Sequence, residues 1–368
     1  MNYSTVVFKI WMSFITLLLF NAVNAQAPDT KLNQQLAQIE GIMDSFTQHY
    51  DIPAMSIGIS IAGKPYFINK GVYKRNTDQL MDNKGACQIA SVSKMFTGAI
   101  VKALIAEGKI ELNAPITQYL PQDYPKSVQK KMAGITIRDV LHHRSGIARD
   151  SKIANSKREG NDPLIYEYTE ADFLTDFQQM RVKKNPKRKF EYSNFGYAVL
   201  GYIAERASGM SYEALLQKYI AEPYALYNTT TLVPDQRQRV TPYYKENKQR
   251  ETQYFVMGKL TPPSAIFSTT EDLLKLVQAQ VKVYQDKNKD QMLYLTQDAR
   301  PESGPAYGYG LFRYNEDQYG HGGDIDGYAS NYWLYPDKDL AYVFLTSSGG
   351  RWVGPFFKEI EAVLIDKN

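Results

Sequence analysis

Apolar residues recur at helical spacing near the start of the chain. Leu32, Leu36, Ile39, Met43 and Phe46 predict an amphipathic helix over residues 29–50, capped by Asp29 or Thr30. Pro53 opens an extended run, Ala54 to Ile61. Ala62-Gly63-Lys64-Pro65 is a turn and Tyr66-Phe67-Ile68 returns, the pattern of a β-hairpin. Met95 to Glu107 reads as an apolar helix, and Ile135 to His143 as a short one ending at Ser145-Gly146. Residues 150–163 are polar and read as an exposed loop. Tyr168 to Met180 is helical, and Lys183 to Lys189 is a solvated basic turn around Pro186. Phe195 to Ala207 and Ser211 to Ile220 form two further helices broken at Ser208-Gly209, followed by a polar, irregular stretch over 228–260. Thr269-Thr270-Glu271 caps a helix reaching Tyr284. The pattern then returns to strands at Tyr307–Tyr314, Tyr328–Tyr335 and Leu340–Ser347, and a helix at Phe356–Ile365 closes the chain.

Strands at both ends with helices between them predict an α/β fold. Its antiparallel sheet is built from both chain ends and flanked by helices, and a mostly helical lobe is inserted. The α/β lobe takes residues about 29–90 and 300–368, and the helical lobe about 95–290. A cleft between lobes is the natural place for a site.

Composition narrows the class. With 368 residues, 43% hydrophobic and 22% charged, the chain is long enough for a large core. Its net charge of +4 is spread evenly, so no basic tract points to nucleic acid. The 28 tyrosines serve mainly as core. Residues 1–25 read as a secretory signal. Lys9 is the positive region, Ile10 to Phe20 the apolar run, and Val23-Asn24-Ala25 the small-residue cleavage site. A cut after Ala25 is favoured over one after Ala27, because Pro28 would follow the latter. The expected product, residues 26–368, is periplasmic or secreted and holds no membrane span. Cys87 is the one cysteine, so no intramolecular disulfide forms, and core packing is its expected role. No metal or cofactor is expected. His49, His142, His143 and His321 show no zinc spacing, and Asp286-x-Asn288-x-Asp290 lacks the glycine and glutamate of a calcium loop.

Three short stretches carry candidate chemistry. In Cys87-Gln88-Ile89-Ala90-Ser91-Val92-Ser93-Lys94, Ser91 stands at a helix start with Lys94 one turn on, so the amine can reach the hydroxyl. A serine becomes nucleophilic when a neighbouring base takes its proton, and the unpaired N–H groups of a helix start can hold an oxyanion. Alone, Ser-x-x-Lys more often describes a capping serine and an exposed lysine. Ser127-x-x-Lys130 is a second copy on a solvated surface. In Tyr192-Ser193-Asn194, the phenol can act as a base where cations lower its pKa, and the amide can hold both a lysine and a substrate carbonyl. By itself this would be an asparagine helix cap. In Gly320-His321-Gly322-Gly323-Asp324, glycines let a substrate backbone come close, and the Asp324 N–H can be a second oxyanion donor. The plain alternative is a glycine-rich turn.

Together the three, in this order, resemble the serine hydrolase family of class C β-lactamases, D-Ala-D-Ala carboxypeptidases, D-aminopeptidases and family esterases. Leu141-His142-His143-Arg144-Ser145-Gly146-Ile147 is similar to the family's Leu-Leu-x-His-x-Ser-Gly stretch, and Gly196 to Ile203 to its helix after the tyrosine motif. Tyr307-Gly308-Tyr309-Gly310 and Pro336-Asp337 match as well, so the resemblance runs over about residues 30–365. It implies an acyl-enzyme at Ser91, proton handling by Lys94 and Tyr192, and orientation by Asn194. His321 would polarise Tyr192 or bind a substrate carboxylate, and Gly322, Gly323 and Asp324 would line the substrate. The two proton groups are left unordered. The implied partner is a small molecule or peptide of the kind cell walls supply. His321 stands where class C β-lactamases keep lysine. That ranks D-peptide hydrolysis first, esters second and β-lactams third. A non-catalytic binding protein on the same fold would have lost Ser91, Lys94 or Tyr192, and all three are present.

Overall fold

The computed structural model describes residues 30–121, 124–159, 162, 164–180, 182–183, 189–286, 306–314 and 317–365. The expected signal segment 1–25, most of the basic turn at 183–189, and the calcium-like loop beyond Asp286 lie outside them.

The described helices are α1 (Thr30–His49), α2 (Ser93–Ala106), α3 (Lys126–Met132), α4 (Ile137–Leu141), α5 (Lys152–Lys157), α6 (Glu170–Gln179), α7 (Asn194–Ser208), α8 (Tyr212–Leu216), α9 (Thr270–Gln285) and α10 (Val353–Leu364). The strands are β1 (Ala54–Ile61), β2 (Lys64–Gly71), β3 (Cys87–Gln88), β4 (Phe267–Ser268), β5 (Ala306–Gly308), β6 (Leu311–Arg313), β7 (Tyr319–Ile325), β8 (Tyr328–Tyr335) and β9 (Leu340–Thr346). Residues 46–353 form one compact unit. The described parts of 1–45 and 354–368 form another, within which Gln35 Nε2 donates to the Val363 carbonyl at 2.9 Å.

Seven strands make an antiparallel sheet in the order β2-β1-β9-β8-β7-β6-β5, joining both ends of the chain as expected. β1 is central. Ile57 is paired with Ile68 on one side and Phe344 on the other, and the strand is buried over nearly its whole length. α9 packs on β9, β1 and β8. Gly58 makes room for that helix, since a Cβ there would lie 3.3 Å from Leu274. The helices from α2 to α8 share one continuous core with the sheet, and Tyr168, Tyr197, Tyr243, Tyr328, Tyr332 and Tyr342 are fully buried.

Local chemistry explains most boundaries. Ser193 caps α7 by accepting from the Gly196 N–H, and left-handed Gly209 (φ 71°) ends it. Thr136 and Asp139 form a capping box on α4. Three readings of the pattern differ from the structure. Tyr307–Tyr314 is two strands, because Tyr309 (φ 43°) and Gly310 (φ 95°) reverse the chain between them. The glycine-rich stretch 320–324 lies inside β7, paired along its length with β8. The loop at 150–163 contains α5, started by Ser151, whose buried hydroxyl bonds Asp176.

Candidate active site

Ser91 sits in a single 3₁₀ turn, Ala90–Val92, directly before α2. Ala90 enters that turn with φ 47°, a conformation that strains a non-glycine residue. The turn is pinned against the sheet. The Ser330 hydroxyl donates to the Ile89 carbonyl at 2.6 Å, and Gly323 leaves no space between, since a Cβ there would lie 2.7 Å from that same carbonyl oxygen.

Lys94 is fully buried, and its Nζ donates to Ser91 Oγ at 3.1 Å and to the Pro263 carbonyl at 2.9 Å. The carbonyl comes within reach because α7 presents Gly201 to the Pro262 ring, where a Cβ would lie 2.3 Å from Cγ. On the other side the Tyr309-Gly310 turn rests on the backbone of Lys94 and Met95. A Cβ on Gly310 would stand 2.3 Å from Met95 Cα. Burial drives the Lys94 ammonium well below its usual range; the Asp150 charge opposes this and the Arg149 charge adds to it. The amine is thereby poised to be neutral, and a neutral amine can accept a proton.

Tyr192 is partly buried and hydrogen-bonded to Ser91, and its hydroxyl stands 3.4 Å from His321 Nε2. The expectation that cations lower this phenol is overturned by desolvation. Burial pushes it up, outweighing the bond to Ser91 and the Arg149 charge. His143 supports it from behind. Its ring lies 4.3 Å from that of Tyr192, and its Nδ1 accepts from the Ser193 N–H at 3.1 Å, which leaves the proton on Nε2. The His143 ring thus both packs on Tyr192 and supports the loop before α7.

His321 is buried on β7, with Nδ1 2.6 Å from the Gly322 carbonyl. A ring nitrogen that close to a carbonyl carries the proton, so Nε2 presents its lone pair to Tyr192. Burial first and the Lys94 charge second push the imidazole down to about 3. Asp324 and Asp326, its nearest carboxylates in sequence, turn away to Lys245 and Arg158. His321 is therefore neutral at pH 7. Binding a substrate carboxylate does not suit it, while accepting from Tyr192 does.

Asn194 is the first residue of α7. Because Ser193 does the capping, the Asn194 amide is released, and its Nδ2 donates to Asp150 Oδ1 at 2.7 Å. Gly322 and Asp324 are exposed on β7 and Gly323 is buried between them. Ser91, Asn194 and Asp324 line a cavity of about 430 Å³ with Arg149, Asp150 and Lys245. The structure thus brings Ser91, Lys94, Tyr192, Asn194, His321 and Asp324 to one place. Sequence reading missed the Pro263 carbonyl, Arg149, Asp150 and Lys245. Only Arg149 and Asp150 left a trace, as the residues right after the Leu141–Ile147 stretch. Ser93 is buried and accepts from the Ile266 N–H at 3.3 Å, whereas Ser127 and Lys130 are exposed on α3. Cys87 is free and buried. Among the described residues no group of three His, Cys, Asp or Glu side chains could hold a metal ion, and no helix is long and apolar enough to cross a membrane.

A family model described as Beta-lactamase matches residues 39–356. The chain is 24% identical over 352 residues to "Protein flp" of Staphylococcus aureus (strain COL), covering 91% of this chain and 67% of that one. It is 25% identical over 260 residues to a "Beta-lactamase" of Escherichia coli (strain K12), covering 70% and 64%. Its fold is similar to that of an octameric penicillin-binding protein homologue from Pyrococcus abyssi, with a TM-score of 0.75 and 22% identity over 90% of this chain and 78% of the other.

Proposed function

Because the chain belongs to the β-lactamase family, whose members are serine hydrolases, we propose that it is an exported enzyme that forms an acyl-enzyme at Ser91 and cleaves amide bonds in small D-amino-acid peptides. The observation that carries this reading is Lys94, fully buried, with no ion pair among the described residues and 3.1 Å from Ser91 Oγ. Ser91 Oγ attacks the carbonyl carbon as Lys94 takes its proton. The carbonyl pair moves to oxygen, where the N–H groups of Ser91 and Asp324 hold it. Collapse breaks the bond to the leaving group. The Tyr192 phenol protonates that group and regains a proton from Lys94. Water then repeats the sequence on the acyl-enzyme. With Lys94 lowered and Tyr192 raised, the amine acts as base and the phenol as acid, which orders the two groups. Asn194, steadied by Asp150, orients the substrate carbonyl.

An esterase runs the same steps with an alcohol leaving group. Neutral His321 favours it as the second reading, because no permanent cation stands at that position. One experiment tests the proposal: intact mass of the exported protein before and after a fluorophosphonate or a penicillin. The expected mass begins at Gln26 and gains one phosphonate, which Ser91→Ala abolishes. The penicillin adduct, if formed, clears slowly. Labelling that survives Ser91→Ala or maps to Ser127 defeats the nucleophile, and an exported protein that begins at Met1 defeats the signal.

A further inference from the structure

Three cations and three carboxylates line the cavity beyond Ser91: Arg149, Arg158 and Lys245, with Asp150, Asp324 and Asp326. Two of the cations are already committed. Lys245 Nζ lies 2.6 Å from Asp324 and 3.9 Å from Asp326, and its side chain is only 23% exposed. Arg158 is paired with Asp326, and its Nε also donates to the Asp162 carbonyl at 3.0 Å. Arg149 differs. Its one ion pair among the described residues is at 3.5 Å, through Nε to Asp150, and its side chain is 66% exposed. Asp150 is itself shared, since its other oxygen accepts from Asn194. The two terminal nitrogens of Arg149 are thus the least engaged cationic edge in the cavity.

Position adds to availability. The Arg149 guanidinium carbon lies 5.3 Å from the centre of the Tyr192 ring. Tyr192 is the proton donor to the leaving group in the mechanism above. Whatever departs from the acyl carbon passes this ring, so its substituents come next to Arg149. A guanidinium with a free terminal edge can grip a carboxylate through two parallel hydrogen bonds.

We infer that Arg149 recognises a free carboxylate on the leaving group of the substrate. The substrate class is an acyl compound whose departing amine or alcohol carries a carboxylate, as a C-terminal D-amino acid does. This rests on the hydrolase reading of the preceding subsection. It selects, within that reading, peptides cut at the carboxyl end over neutral esters.

The test compares two aryl esters of phenylacetylglycine, one whose phenol leaving group bears a meta carboxylate and one without it. The wild-type enzyme is expected to prefer the carboxylate ester in kcat/KM. Arg149→Gln is expected to reduce that preference by about tenfold or more, carried in KM, as removal of a charge-assisted hydrogen bond implies. Arg149→Lys is expected to restore part of it. The ratio of the two esters is the readout, so a general effect of Arg149 on Tyr192 cancels. A wild-type ratio at or below one, or a ratio unmoved by Arg149→Gln, overturns the inference alone. So does a ratio that collapses instead in Lys245→Gln. Failure to turn over either ester, with no phosphonate adduct at Ser91, overturns the hydrolase reading and this inference with it.

Discussion

At the floor of the cleft, Lys94, His143 and His321 are buried and make no ion pair among the described residues. At the rim a few ångströms away, three cations face three carboxylates, with partly exposed side chains. The floor is held by carbonyls and ring faces: Pro263 on Lys94, Gly322 on His321, and Tyr192 on His143. The rim is held mainly by facing charges, with hydrogen bonds from Asn194 to Asp150 and from Arg158 to the Asp162 carbonyl beside them. A buried amine without a counter-ion loses its proton easily, so desolvation at the floor suits Lys94 to the base role proposed for it. Solvent screens the rim, which cannot tune a pKa in the same way but can sort substrates by charge. In the proposed mechanism chemistry and selectivity thus sit on different physical footings, and each should be changeable without the other.

The floor should break hardest. Lys94→Met keeps the volume and removes the amine, and acylation by an activated ester is expected to fall about 10²–10⁴-fold. Thermal stability should hold or rise, since a costly buried group is gone. Stopped-flow acylation and a melting curve check both, and a loss below tenfold would remove Lys94 from the role of base. The next effect is on pH dependence. His321 is held neutral, with its folded pKa of about 3 below the ordinary 6.5. Between those values the unfolded chain binds more protons, so stability is full above the ordinary value and is lost as pH falls towards the folded one. His321→Asn should therefore flatten the fall in Tm over about pH 6 to 4. A residual slope should remain, because burial lowers His143 in the same direction. In kcat/KM no histidine limb is expected near neutrality, and an inflection there that disappears in His321→Asn would contradict the neutral imidazole. The smallest effect belongs to the rim. Lys245→Met removes a pair at 2.6 Å whose side chains are 23% and 43% exposed. Its cost in urea unfolding is expected to be about 1 kcal/mol or less. A loss of several times that would make the rim part of the rigid floor.

Much of this was legible in the residue pattern, for stated reasons. The β1–β2 hairpin, α7 and α9 follow from periodicity, turn residues and caps, all local signals. Ser91, Lys94, Tyr192 and His321 were found because their spacings are short and fixed. What was missed is tertiary. The reversal at Tyr309-Gly310 has no turn signature at Tyr309, whose left-handed backbone is imposed by the close packing against α2. Asp324 and Asp326 lie near His321 in sequence, yet Lys245 and Arg158 arrive from elsewhere and take them. The phenol of Tyr192 went up and not down because burial outweighs a nearby arginine, and burial is not written in three residues.

The hydroxyl that pins the Ser91 turn comes from Ser330, 241 residues after the Ile89 carbonyl it reaches. β1 likewise waits for β9, its partner from the far end of the chain. During synthesis the first hairpin therefore exists for most of the process with one edge open, and such edges invite pairing with other chains. Closing so long a loop is also slow. Two consequences follow for the cell that makes this protein. The nascent chain must be shielded until β8 and β9 arrive, and a product cut short before Ser330 would leave the turn that carries Ser91 without its pin.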